Sequence, residues 1–319
     1  MKKLLCIVGP TATGKTDLGL LLAKEFNGEL IACDSRQVYT GLDIGTGKLP
    51  GKEVAFQKHA RVWIIEEVPV WLYDVVAPAF QYDVWQYVQG AKEVIADIVS
   101  RGKLPIIVGG TGLYLKGLLQ GFDQMEIPVD LSLREELELL SLEEIHRRLE
   151  QLNQEYFSQL SHAELHNKRR LIRKIEIEVL KDQVKEKLFS QGIESEFSVL
   201  KIGLETEREI LYRRIDERVE KRMLLGMLEE GERIHQEGIT FERMRQLGLE
   251  YGMIADYMEG KIETEVGFVQ KLQFRIHQYA KRQLTWFKAD PTILWFDILE
   301  KGFQRKVEEK VADWYNRGK

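Results

Sequence analysis

The residues with the plainest chemical purpose stand near the start of the chain. Gly9-Pro10-Thr11-Ala12-Thr13-Gly14-Lys15-Thr16 spaces two glycines, a lysine and a hydroxyl as a phosphate-gripping loop does. Such a loop turns successive backbone N–H groups, and the N-terminus of the helix that follows, toward an anion. Lys15 adds a point charge, and the Thr16 hydroxyl is a ligand for Mg²⁺. The pattern predicts a site for a diphosphate group beside a metal ion. By itself it names neither the ligand nor the reaction.

Other residues have two readings each. Asp34 ends an apolar run and falls at the same sheet edge as the loop, so its carboxylate could bind metal or accept a proton from a nucleophile. It could equally cap the turn that Ser35 and Arg36 begin. Thr111, in Gly109-Gly110-Thr111-Gly112, is either close to a reacting centre or the cap of a helix. The run 166–174 carries five formal positive charges, with Arg169 and Arg173, and Arg170 and Lys174, in neighbouring i,i+4 rows. That stripe fits an RNA backbone, and also a solvated helix face. Tyr279–Phe287 mixes basic and aromatic residues and reads as a packed helix end or as part of a substrate channel.

These residues need a scaffold, and the patterning supplies one. Leu4–Val8, Leu30–Cys33 and Leu104–Val108 are short apolar runs of the kind buried on both faces of a parallel sheet. Helical spacing follows Thr16 (Leu18, Leu21, Leu22, Phe26) and fills Tyr87–Val99. Strands alternating with helices place ligands at the carboxyl ends of the strands, where the glycine-rich loop, Asp34 and Thr111 all fall. The fold class expected is α/β, a P-loop core with a mostly parallel sheet flanked by helices, plus an inserted all-helical RNA-binding module. Residues 1–124 are the first part of the core, and 125–195, rich in Glu, Leu, Arg, Lys and Gln, are the insertion. Residues 196–319 complete the core with a strand near 197–204, then mostly helix, and a last apolar stretch at Thr292–Phe296.

Composition bounds the rest. The formal net charge of −5 makes any RNA site a local basic patch on an acidic protein. Cys6 and Cys33 lie in apolar runs and read as small buried hydrophobes, and the absence of a CxxC or Cys/His cluster excludes a zinc module. Nothing approaches eighteen consecutive apolar residues, and the apolar run after Met1 leads straight into the glycine-rich loop. No membrane association and a cytoplasmic location are expected.

Taken together, the segments resemble the tRNA dimethylallyltransferases (tRNA isopentenyltransferases) of bacterial type, nearly end to end. The anchors are Gly9–Thr16, Asp34-Ser35-Arg36-Gln37-Val38-Tyr39 with Asp43-Ile44-Gly45-Thr46, and Val108–Tyr114. To these add the Arg170/Arg173/Glu176 helix, Gly203-Leu204 with Arg208, Leu211-Tyr212 and Arg214-Ile215, and Ala280–Phe287. The resemblance implies transfer of dimethylallyl from its diphosphate to N6 of an adenine next to the anticodon. Gly9–Thr16 then grip a departing diphosphate with Mg²⁺ on Thr16, and no phosphoryl group moves. Asp34 becomes the base for the adenine amine, with Thr111 near the reacting centre. Lys15 and an arginine of the 214–218 region, Arg218, neutralise the leaving group. Ser35, Arg36 and Gln37, with Asp34, meet the flipped base, and Arg169, Arg170 and Arg173 hold the anticodon stem-loop. One chain then carries both half-sites, so a monomer is expected.

The chain departs from the family pattern in places. The stretch between Gly47 and Tyr73 is longer and more divergent, Val70-Trp71-Leu72 stands where paired histidines are usual, and Lys168 replaces a proline. These put the details of tRNA positioning in question, not the reaction. The rival readings are a P-loop small-molecule kinase, an adenylate isopentenyltransferase acting on the free nucleotide, and a non-catalytic RNA-binding protein.

Overall fold

Eight strands form one sheet: β1 (Lys2–Val8), β2 (Gly28–Cys33), β3 (Phe56–His59), β4 (Arg61–Ile65), β5 (Val68–Tyr73), β6 (Leu104–Gly109), β7 (Phe197–Glu205) and β8 (Leu294–Asp297). They lie in the order β3-β4-β5-β2-β6-β1-β7-β8. The pairs from β5 to β8 are parallel, and β3/β4 and β4/β5 are antiparallel. This computed structural model describes residues 1–51, 54–121, 127, 129–181 and 192–317.

The sheet is parallel where its strands are apolar throughout. β2 and β6 are buried at every position, and β1 from Leu4 onward, so both faces need cover. Helices α1 (Lys15–Glu25), α2 (Val84–Ser100) and α3 (Gly112–Gln120) each follow a strand or precede one in the crossover arrangement this demands. The strands expected at the start of the chain and near residue 197 are present, and the last apolar stretch contributes β8.

Strands β3 to β5 are an addition that patterning does not disclose. They occupy much of the divergent stretch and extend the parallel sheet beyond β2 with an antiparallel edge. β4 and β5 are joined by Glu66-Glu67, both with positive φ (49° and 68°). That is the turn Asn-Gly would advertise, and two glutamates do not. Pro69 within β5 further disguises it as a strand.

The chain divides into two compact units, Met1–Leu119 with Ile193–Lys319, and Gln120–Gly192. The insertion expected over 125–195 corresponds to the second, and its segments 122–126, 128 and 182–191 lie outside the described residues. The second unit contains α4 (Leu131–Glu138), α5 (Leu142–Leu152), α6 (Gln154–Ser158), α7 (His162–Leu165) and α8 (Lys168–Leu180), closed on a core of Leu137, Ile145, Leu149, Leu171, Ile172 and Ile175. The first unit continues with α9 (Arg208–Leu224), α10 (Met227–Gln236), α11 (Phe241–Leu247), α12 (Leu249–Met258), α13 (Glu265–Lys288) and α14 (Phe303–Asn316). Two apolar clusters hold it together, one around the sheet and one joining Val38, Tyr39 and Leu42 to α9–α13. No described helix is long and apolar enough to cross a membrane.

Candidate active site

The glycine-rich loop leaves β1 at Gly9, whose φ of +135° and whose distance of 2.4 Å from a would-be Cβ to the Leu204 carbonyl oxygen exclude a side chain. Within the loop, the Pro10 carbonyl accepts from Thr13 Oγ1 (2.9 Å) and Lys15 Nζ (2.6 Å). Gly14 caps α1 in the left-handed conformation, so Lys15 and Thr16 open the helix. The free N–H groups of the first turn, the lysine and the threonine hydroxyl therefore converge where an anion is favoured.

Two helices far along the chain secure this loop. From α13, the buried Gln283 accepts from the Thr11 N–H (2.9 Å) and donates to the Gly110 carbonyl (2.9 Å). A Cβ on Gly110 would stand 2.1 Å from its Nε2. One amide thus fixes the loop after β1 to the loop after β6. From α9, Arg214 Nε donates to the Ala12 carbonyl (2.8 Å) and Arg218 Nη1 to Thr11 Oγ1 (2.9 Å). Ala12 sits at φ +65°, strain for a residue with a Cβ that these contacts hold in place.

The electrostatics are those of an anion site. Burial, then the neighbouring Arg218, bring the Lys15 ammonium down to about 7 against a partial offset from Asp34. Arg218 is brought down to about 9, first by Arg222 one turn on and then by burial. Arg222 itself pairs with Glu250 at 3.3 Å. Gly47, at φ +69°, leaves room for both guanidinium groups, since a Cβ there would lie 2.1 Å from each. Cations crowded to this degree favour a multivalent anion among them.

Asp34 follows directly on β2 and faces the same space. Its Oδ1 accepts from the Arg36 N–H (2.8 Å), so the turn-capping reading is correct for one oxygen, while a carboxylate keeps a second. Thr111 does not spend its hydroxyl on capping α3: Oγ1 accepts from the Ser35 N–H (3.1 Å), and the backbone carbonyl receives Tyr114 and Leu115 instead. The Tyr279 phenol is held well above its usual range by burial and then by the Asp34 charge. Gln37 Nε2 reaches the Thr46 carbonyl at 3.4 Å, and Arg36 Nη1 the Gln246 carbonyl at 2.9 Å. Asp34, Ser35, Arg36, Gln37, Thr46 and Tyr279 line one cavity of about 820 Å³ with Lys15, Thr16, Arg214, Arg218 and Arg222, and Thr111 stands behind Ser35 rather than in its lining.

A further layer shapes the loop from Asp43 to Thr46. The buried Glu230 carboxylate accepts from the N–H groups of Asp43 (2.8 Å), Ile44 (2.9 Å) and Gly45 (2.9 Å) and from the Tyr251 hydroxyl (2.6 Å). Lys48, fully buried, lies between Asp43 (2.7 Å) and Asp74 and donates to the Tyr39 carbonyl (2.7 Å), while Trp63 Nε1 donates to Asp74 (2.6 Å). The divergent stretch is therefore bound to the site's support through Lys48 and Trp63. The roles of Glu230, Lys48 and Arg222, and of Gln283 within the Tyr279–Phe287 segment, were not deducible, because their partners are ones that only the fold brings near.

In the second unit the basic stripe divides. Arg169 and Arg170 are exposed. Arg173 instead bonds the buried Glu176 and the Ile127 carbonyl (2.7 Å), and Lys174 bonds the Tyr156 hydroxyl and Glu164. Glu176 also accepts from Arg134 (2.9 Å) and the Asp130 N–H (2.7 Å). Burial alone would raise its carboxyl, and these hydrogen bonds outweigh that and lower it. The division cuts across both i,i+4 rows: the first member of each is exposed and the second is engaged within the module, which spacing along the helix does not reveal.

The sequence model for IPP transferase matches residues 37–290. The chain is 39% identical over 285 residues to the tRNA dimethylallyltransferase 1 of Geotalea uraniireducens, covering 89% of this chain and 88% of that one. The chain belongs to the tRNA dimethylallyltransferase family. Among solved structures, the full-length tRNA isopentenylpyrophosphate transferase of Bacillus halodurans superposes with a TM-score of 0.69 at 31% identity, covering 98% of this chain and 97% of that one. A eukaryotic dimethylallyltransferase acting on tRNA superposes with a TM-score of 0.76 at 25% identity, covering 98% of this chain and 78% of that one. The family's fold, an α/β core with a mostly parallel sheet, is the one described above.

Proposed function

We propose that the protein transfers a dimethylallyl group from dimethylallyl diphosphate to N6 of an adenine next to the anticodon of tRNA, releasing diphosphate. The observation that carries this reading is that the anion-gripping loop and the Asp34–Gln37 turn line a single cavity. A diphosphate leaving group and a base-binding turn with a carboxylate are what such a reaction requires in one place.

In the reaction the allylic C1–O bond breaks and its electron pair leaves with the diphosphate. The N6 lone pair forms the new bond to C1, and the N6 proton passes to Asp34. Lys15, Arg218 and the N–H groups at the start of α1 stabilise the charge that grows on the departing oxygen. Thr111 fixes Ser35 beside the carboxylate. Gln37, Ser35 and Arg36 are available to meet the flipped base.

Among the described residues no three His, Cys, Asp or Glu side chains gather as a metal cage. A hard cation of the Mg²⁺ type needs few protein ligands when phosphate oxygens and water complete its shell. The Thr16 hydroxyl at the mouth of α1 fits that role. Bound there, Mg²⁺ would neutralise charge on the diphosphate.

The test is direct. The protein is incubated with Mg²⁺, dimethylallyl diphosphate and total tRNA, and the digested RNA is examined by mass spectrometry. Prenylated adenosine is expected, and Asp34→Asn should lower kcat by about 10²–10⁴ while RNA affinity stays within a few-fold. Product from free AMP but none from tRNA would overturn the reading in favour of the adenylate enzyme.

A further inference from the structure

Helix α13 continues past the cavity as a row of alternating charge and aromatic surface. Arg275, Tyr279, Arg282 and Trp286 follow one another at spacings of four, three and four, which puts all of them on one face. Tyr279 and Arg282 line the cavity, with the Arg282 guanidinium 5.9 Å over the Tyr279 ring. Trp286 lies one turn further out with 45% of its surface exposed. Its indole is seated on the start of α3, where a Cβ on Gly112 would fall 2.1 Å from Nε1, and beside it Leu113 is 47% exposed. A large aromatic is thus braced edgewise against the loop that carries Thr111 and left open on the solvent side.

We infer that the Tyr279–Arg282–Trp286 face is a stacking track for the nucleotides that flank the modified adenine, with Trp286 as the platform for an adjacent base. This rests on the function proposed above. An enzyme that draws one base out of a loop leaves its neighbours with uncovered π faces, and aromatic rings interleaved with cations are what single-stranded RNA stacks on. The donor has no ring to stack, so the track serves the acceptor. It begins at Tyr279, which lines the same cavity as Asp34, and is therefore continuous with the place where the reacting base must sit. Arg275 and Arg282 on the same face supply complementary charge for the phosphates between those bases.

The experiment uses the full chain and anticodon stem-loop RNAs carrying 2-aminopurine immediately 5′ or 3′ of the target adenine. With the unaltered enzyme, one of the two probes should lose emission on binding, as a stacked 2-aminopurine does. Trp286→Phe should retain that quenching. Trp286→Ala should abolish it and weaken RNA binding roughly tenfold, about 1.4 kcal/mol, with affinity for inorganic pyrophosphate unchanged within twofold. Quenching that survives Trp286→Ala overturns the inference. So does an equal loss of pyrophosphate affinity in both variants, which would assign Trp286 a packing role on Gly112 alone. The same RNAs, unlabelled, are assayed for prenylation: product with no response at position 286 sinks only the track, whereas no product with any donor sinks the reading on which it rests.

Discussion

Replacing Gln283 by alanine should damage the site without touching any reacting atom. The side-chain amide is buried and makes two hydrogen bonds of 2.9 Å, to the Thr11 N–H and to the Gly110 carbonyl. Removing it leaves one donor and one acceptor without partners, and each such group costs about 1–3 kcal/mol when it stays dry. The sum is about 2–6 kcal/mol, of which water entering from the adjoining cavity recovers a part. A net loss of about 2 kcal/mol, expressed as misregistration of the two loops, lowers kcat/KM for the donor about 30-fold. Gln283→Glu separates the two bonds: it still accepts from Thr11 but sets a negative charge against the Gly110 carbonyl and beside the anion site. Donor affinity should therefore fall further in the Glu variant than in the Ala variant. The assays are pyrophosphate binding by calorimetry, steady-state kinetics in the donor, and thermal melting, where a drop of a few degrees is expected. An alanine variant with parental donor kinetics and melting temperature would refute the reasoning.

Two further outcomes follow from the charges. Lys15 titrates near 7 because burial and Arg218 disfavour its ammonium, and a bound diphosphate restores it. Diphosphate binding should then take up a proton above pH 7 and weaken with rising pH, by up to about tenfold per unit for one proton. Comparison with Lys15→Met isolates this from the ligand's own titration, and identical pH profiles would exclude it. Replacing the exposed Arg169 and Arg170 together by alanine should weaken tRNA binding and flatten its dependence on log salt by about 1.5. Arg173→Ala should instead lower the melting temperature, since it strips a partner from the buried Glu176. A salt slope unchanged by the double variant would remove that helix from the RNA interface.

Much of this protein is legible in its residues because some instructions are local. A phosphate loop is a contiguous backbone shape, so Gly9–Thr16 can be read without a fold, and apolar runs such as Leu4–Val8 and Leu104–Val108 announce strands buried on both faces. Asp34 and Thr111 could be placed near the loop because parallel strands deliver their carboxyl ends to one edge. The antiparallel edge from β3 to β5 was hidden, since its turn is made by Glu66-Glu67 and its last strand contains Pro69.

What the sequence alone determined was the chemistry available: an anion grip, a carboxylate and a reserve of basic residues. Only the tertiary structure decided which groups serve it. Gln283 is about 270 residues from Thr11 and became its partner because α13 packs across the loops. Arg173 and Lys174 share a helix with Arg169 and Arg170, yet they turn to Glu176 and Tyr156. The physical reason is the same in both cases. A buried polar group must find its partner wherever the chain's packing brings one, and that choice is not written in spacing along the sequence.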